Sequence, residues 1–347
     1  MSGTGRLIVG VALLAVIVAA LGFAAGGHAT SARAAAPVYL YWANFERGGA
    51  HPAGTTIGRA RLDGTGVEHS FVSGTGRSPC GVALDREHIY WREALGGKVG
   101  SPDKGGAIGR ANRDGSGVNA EFIPTPAHHG CGVAIAGSHI YWTSWACKIV
   151  PGRGCWWAPS SPAAIGRANV DGTGVDDQFI TGLAIPRSPA FQTADPCGIA
   201  VAGKYIYWTN WEEGPAPVTI GRANLDGTGV NKRFITGVIP GCGIAVAGGH
   251  IYWTNGGFIR SRHAIGRANL DGTGVNQRFI RTAGYPCGLA AYQGHIYWGE
   301  LKYRGELKSA TLAHPITTIG RANLNGSAVN NQFITGIHDT CGGLAVG

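Results

Sequence analysis

Beyond an apolar N-terminal run, hydrophobic positions along this chain fall in short bursts, not helical stripes. Segments such as "CGLAA", "HIYWTN", "AIGRANL" and "NQRFI" combine β-branched, aromatic and small residues with polar ones in the manner of short strands. Between them stand "AGGH" and "AGSH", which close a hairpin tightly, and "LDGTGV", which places Asp-Gly and a second glycine where positive φ is needed. No helix-period segment competes outside the N-terminus.

The bursts repeat. "IGRAxLDGTGV" or a close variant starts at Ile57, Ile108, Ile165, Ile220, Ile265 and Ile319. Cys-Gly recurs at Cys80, Cys131, Cys197, Cys242, Cys287 and Cys341, and Tyr-Trp ends at Trp42, Trp91, Trp142, Trp208, Trp253 and Trp298. Four short antiparallel strands per unit, repeated in fixed order, predict an all-β, six-bladed β-propeller over residues 37–347. A solenoid would need atypical capping units, and neither end supplies one. The first unit opens at "VYLYW" without its Cys-Gly strand and the chain stops at "CGGLAVG", so the two termini are expected to pair in one blade and close the ring.

Residues 1–36 read as an export signal or, because the apolar run is long, an N-terminal membrane anchor. Arg6 precedes "LIVGVALLAVIVAALGFAA", and "ATSARAAAP" offers small-residue cleavage sites ending at Ala34 or Ala36. Cleavage is the preferred reading, and either way the body is expected outside the cytoplasm. The formal charge of +9 becomes +7 when Arg6 and Arg33 are removed, which favours anionic partners. Basic blocks interleaved with aromatics are absent, so nucleic acid is not expected as a partner.

The combination resembles the low-density lipoprotein receptor class B repeat, the YWTD propeller family. "CGIAVAGGHIYWTN" and "AIGRANLDGTGV" match that family's blade closely from Val38 to the end. The family's Asp after Tyr-Trp-Thr is replaced by Asn210 and Asn255 in two blades, and the others read "YWAN", "YWRE", "YWTS" and "YWGE", so its hydrogen bonds must be rearranged. EGF-like and cysteine-rich flanking modules are missing, so an endocytic role does not carry over. The resemblance implies a module that binds proteins or other ligands on one face. The alanine- and glycine-rich leader suits an exported bacterial member.

In a ring of equivalent units, a residue present in every blade is most simply a folding requirement, whereas a unique site breaks the symmetry. The arginines Arg59, Arg110, Arg167, Arg222, Arg267 and Arg321 are therefore read as hydrogen-bonding neighbouring loops or strands. The aspartates Asp63, Asp114, Asp171, Asp226 and Asp271 are read as turn residues, and His88, His139, His250 and His295 as packing groups; no metal or cofactor is expected. Symmetry is broken by Trp145, Trp156, Trp157 and Trp211 and by three long insertions that share one face. A candidate ligand sector follows on blades 3 and 4: Trp145, Lys148, Arg153, Trp156, Trp157, Trp211, Glu212 and Glu213, with exposed indoles and cations suited to a protein or an acidic cell-surface polysaccharide. Packing of the indoles onto the ring is the competing account.

Cys147 and Cys155 bracket "KIVPGRG" and are expected to form a loop-closing disulfide. The six repeat cysteines start the innermost strands, near the loop-bearing mouth of the channel. Buried, reduced packing is the preferred reading, because a symmetric ring is expected to hold inner-strand Cα atoms near or beyond the disulfide limit of about 7 Å; interblade disulfides and a soft-metal site are the alternatives. No catalytic motif stands out. A propeller hydrolase or lyase would draw on Glu93, Asp195, Glu212, Glu213, Glu300 and Asp339, but a monomeric binding module is favoured.

Overall fold

The computed structural model describes residues 37–44, 56–76, 79–93, 106–125, 130–145, 147–150, 154–157, 163–187, 192–211, 218–255, 263–302, 316–337 and 343–347. Residues Pro37–Gly347 form one compact unit. It is all-β among the described residues, a six-bladed propeller of antiparallel blades. Blade 5 shows the plan: an inner strand Pro240–Ala247, a second His250–Asn255, a third Ala264–Asn269 and an outer Asn276–Arg281, hydrogen-bonded in that order.

The inner strands Leu344–Val346, Pro79–Leu84, Val133–Ala136, Gln192–Ala202, Pro240–Ala247 and Tyr285–Tyr292 touch one another in a closed cycle around the axis. Blade 1 takes its inner strand from the C-terminus: Leu40, Tyr41 and Trp42 pair with Val346, Ala345 and Leu344. The termini thus close the ring as their sequences imply.

The core lies in six separate seams between blades. Each joins apolar residues of one blade to the tryptophan-bearing strand of the next, as where Tyr252, Ile265 and Ile280 of blade 5 meet Leu289, Ile296 and Trp298 of blade 6. The six Tyr-Trp indoles are fully buried in these seams, filling the wedge between diverging sheets. Each also lies across the glycine of its own blade's third strand; a Cβ at Gly266 would run into the Trp253 ring. This explains why "IGRA" carries glycine in the middle of a strand, where it otherwise weakens the element.

Polar groups complete the seams. The six repeat arginines lie over the outer-strand phenylalanines of their own blades, at 3.5 Å for Arg59 over Phe71 and 3.9 Å for Arg110 over Phe122. Tyr141 and Tyr252 donate their hydroxyls to the Leu225 and Leu324 carbonyls of the following blades, at 3.1 and 2.9 Å. Arg110 and Arg321 likewise reach Val170 O and Leu62 O. These cations are structural.

Candidate functional site

Antiparallel blades put the first-to-second and third-to-fourth turns on one face and the remaining connections on the other. The first face repeats itself. Asp271 Oδ1 accepts the Thr273 amide at 2.9 Å and its hydroxyl at 2.7 Å, and the same turn recurs at Asp63, Asp114, Asp171 and Asp226. Asn325 takes the place with Ser327 in blade 6. Hydroxyl donation first, then the amide, holds the five carboxyls below their usual range. The repeated histidines pack at a tilt on the tyrosines two residues later, as His250 does on Tyr252 with ring centres 6.1 Å apart. This face is turn chemistry and packing, as its symmetry suggests.

The opposite face breaks the repeat over blades 3 and 4. A separate two-stranded ribbon, Cys147–Val150 with Gly154–Trp157, follows the second strand of blade 3. Its register opposes Lys148 to Trp156 and Cys147 to Trp157. Blade 4 has a fifth strand, Ile185–Arg187, paired with the extended start of its inner strand Gln192–Ala202. Trp211 ends the second strand of that blade, opposite Asp195. Four of the eight proposed sector residues, Lys148, Trp156, Trp157 and Trp211, therefore have backbones in strands of this face, but their side chains lie outside the described residues, as do Arg153, Glu212 and Glu213 altogether. Trp145 is described, and it is half-buried, packed against the core between blades 3 and 4. The register sets Cys155 opposite Ile149; the expected Cys147–Cys155 bridge involves side chains outside the described residues.

At the channel mouth the preferred reading of the repeat cysteines is overturned. Cys80 is bonded to Cys131, joining blades 2 and 3, and Cys197 to Cys242, joining blades 4 and 5, each with Cα atoms 5.1 Å apart. Cys287 is disulfide-bonded too; Cys341 lies outside the described residues. The physical reason is the glycine after each cysteine. A Cβ at Gly81 or Gly198 would collide with the Cys131 or Cys242 carbonyl of the next blade, so its absence lets inner strands approach backbone to backbone. The Gly343 amide donates to Cys80 O at 2.6 Å across one seam. In another, Thr143 Oγ accepts the Gly132 amide and donates to Cys197 O at 2.8 Å.

The position after Tyr-Trp-Thr also shows its rearrangement. Asn210 accepts the Trp208 indole N–H at 3.1 Å and donates to Thr219 Oγ and Lys232 O, linking the second, third and outer strands within one blade. Asn44 repeats this in blade 1. In blade 6 the fully buried Glu300 accepts Trp298 N–H and the Ala283 amide. Glu93 is buried likewise. Two of the six carboxylates considered for hydrolysis are thus buried; Asp195 is half-buried, and Glu212, Glu213 and Asp339 lie outside the described residues.

One cluster escaped sequence reasoning. Arg92 takes the threonine position of blade 2 and is wholly buried, donating to Thr125 Oγ at 2.7 Å and Ala107 O at 3.3 Å. Burial pulls its guanidinium down to about 10, against the pull of Asp177 and Glu93. Asp177, from blade 3, is pushed up by burial and held back by Arg92. The Trp142 indole lies towards Asp177 without a hydrogen bond of ordinary geometry. "YWRE" is the sequence signal, an adjacent pair of opposite charges where blades 3, 4 and 5 carry Thr-Ser or Thr-Asn.

No protein-family model and no curated protein matches the chain. Among solved structures, a chain of the nidogen/laminin complex is similar at 18% identity, over 89% of this chain and 98% of that one, with a TM-score of 0.60. TolB from Acinetobacter baumannii is similar at 11% identity, over 89% of this chain and 66% of TolB, with a TM-score of 0.52. At such identities the likeness shows the fold, a propeller in each case, and leaves function to the site.

Proposed function

We propose that this protein is an extracytoplasmic binding module of the YWTD type, using the loop-bearing face over blades 3 and 4 to hold a protein or an acidic cell-surface glycan. One observation carries the reading: the strands added to the four-stranded repeat, Cys147–Val150 with Gly154–Trp157 and Ile185–Arg187, all stand on that face and that sector. A rigid ring bearing unique elements on one side is the usual layout of a binding surface. Its tryptophans suit sugar rings or a protein anchor, and Lys148 and Arg153 suit an acidic partner. The two interblade disulfides fit an oxidising compartment, in line with export. A similar chain occurs in complex with a second protein in the nidogen/laminin structure. Hydrolase or lyase chemistry has less support, because Glu93 and Glu300 are committed to blade interiors.

An array of glycans and cell-wall polymers, probed with the exported protein and with a Trp156→Ala/Trp157→Ala variant, tests the assignment. Binding by the parent that drops at least about tenfold in the variant, the loss of an aromatic hot spot, is the expected result. Binding that survives the double change removes the sector.

A further inference from the structure

A second surface lies away from both faces, on the rim. The outer strands Asn119–Pro124, Asp176–Ile180, Asn231–Val238 and Asn276–Arg281 of blades 2 to 5 end their sheets and pair on one side only. Such edges are open templates for another chain. The exposed large hydrophobic residues among the described ones are Val118, Val175, Val230, Leu270, Val275 and Val329, and all stand in the turns leading into outer strands.

Charge on these strands divides by sector. Blades 2 and 3 expose Glu121 and Asp176, with Asp177 half-buried behind them; blades 4 and 5 expose Arg233, Arg278 and Arg281. Lys232 lies behind the basic edge, donating to Gly182 O at 2.7 Å. In blade 1 Glu68 is neutralised by Arg59 at 2.7 Å, and blade 6 offers Asn330, Asn331 and Gln332. The turn aspartates Asp114, Asp171, Asp226 and Asp271 occur in all four charged blades and add equally to both sectors. Arg113 of blade 2 is turned onto Tyr41 and the Asp85 carbonyl.

Edge charges ordinarily guard against pairing between copies. That guard works when all edges share one sign, and here they do not. We infer that the acidic rim of blades 2 and 3 docks the basic rim of blades 4 and 5 of a second copy, with Val118 and Val175 meeting Val230 and Val275 beside the charges. The two patches take neighbouring thirds of the six-membered ring, their centres about a third of a turn apart, so a contact that joins one acidic to one basic patch is head-to-tail, which generates open chains or closed rings. The monomer expected from sequence is then the dilute limit of a reversible assembly.

Sedimentation velocity of the exported protein over a concentration series tests this. At low salt the weight-average coefficient should rise with concentration, and in 1 M salt, where charges are screened beyond about 3 Å, association should weaken at least about tenfold. Glu121→Gln/Asp176→Asn and Arg233→Gln/Arg278→Gln variants, checked for parental melting, should each be monomeric alone. Mixed in equal amounts at low salt, they should form a one-to-one dimer and nothing larger, because each keeps the patch that the other lacks. A parent that stays monomeric at every concentration, variants that still self-associate, or a mixture without dimer would each overturn the inference. Neither variant touches the tryptophan sector, so failure here leaves the loop-face reading standing.

Discussion

Gly266 has no side chain because the Trp253 indole occupies the space where one would stand, and the same holds in every blade. Gly266→Ala should therefore force the ring off its rotamer and cost about 1 to 3 kcal/mol, read as a lower urea midpoint with an unchanged slope. The turn aspartates act in the opposite sense, through charge. Their folded pKa values lie below the unfolded ones, so the stability they add is present above the ordinary carboxylate range near pH 4 and is lost as pH falls through the folded values. Asn325 keeps the same turn without a titrating group. An Asp271→Asn variant should accordingly be less stable than the parent at neutral pH and converge with it on acidification, which urea midpoints across a pH series will show.

At the scale of elements, the inner strand is where sequence reasoning and structure part. The Cys-Gly start was legible as a repeated, buried strand end, but spacing along the chain says nothing about distance across the axis. That distance follows from glycines that let carbonyls of successive strands approach, and it brings Cys197 and Cys242 to 5.1 Å. Removing this staple with Cys197→Ser/Cys242→Ser should cost up to about 4 kcal/mol from loop entropy, visible as a lower midpoint under oxidising conditions only. Thr143 ties the neighbouring, differently held seam between blades 3 and 4 through its hydroxyl. Thr143→Val leaves the Gly132 amide and Cys197 carbonyl short of a buried partner and should cost about 1 to 3 kcal/mol.

Considered whole, the propeller is a ring of six seams closed by its own ends. Tyr39 N–H donates to Gly347 O and Gly347 N–H returns to Tyr39 O, at 3.0 and 3.1 Å, so the last residues belong to blade 1 as much as the first. Deleting residues 341–347 strips that blade of its inner strand and opens two seams at once. Unfolding should then lose its single cooperative transition in calorimetry; an unchanged melt would contradict closure by the termini. The candidate site was only partly legible: symmetry breaking pointed to the face and sector where strands are added to the repeat, since unique insertions stand out against a repeat, whereas the role of each indole depends on what it rests on. Trp145, resting on the core, shows that a unique tryptophan can serve packing.

Strand count, blade order, turn chemistry and ring closure were determined by the sequence itself, because alternation, β-branched and aromatic bursts and Asp-Gly turns act between near neighbours and repeat six times. Tertiary structure alone decided that the inner cysteines join as disulfides, that Glu93 and Glu300 are sealed within blades, and that the buried Arg92 feels the charge of Asp177 from the next blade. Those outcomes depend on distances between residues far apart in the chain, and such distances exist only once the sheets have packed around a common axis.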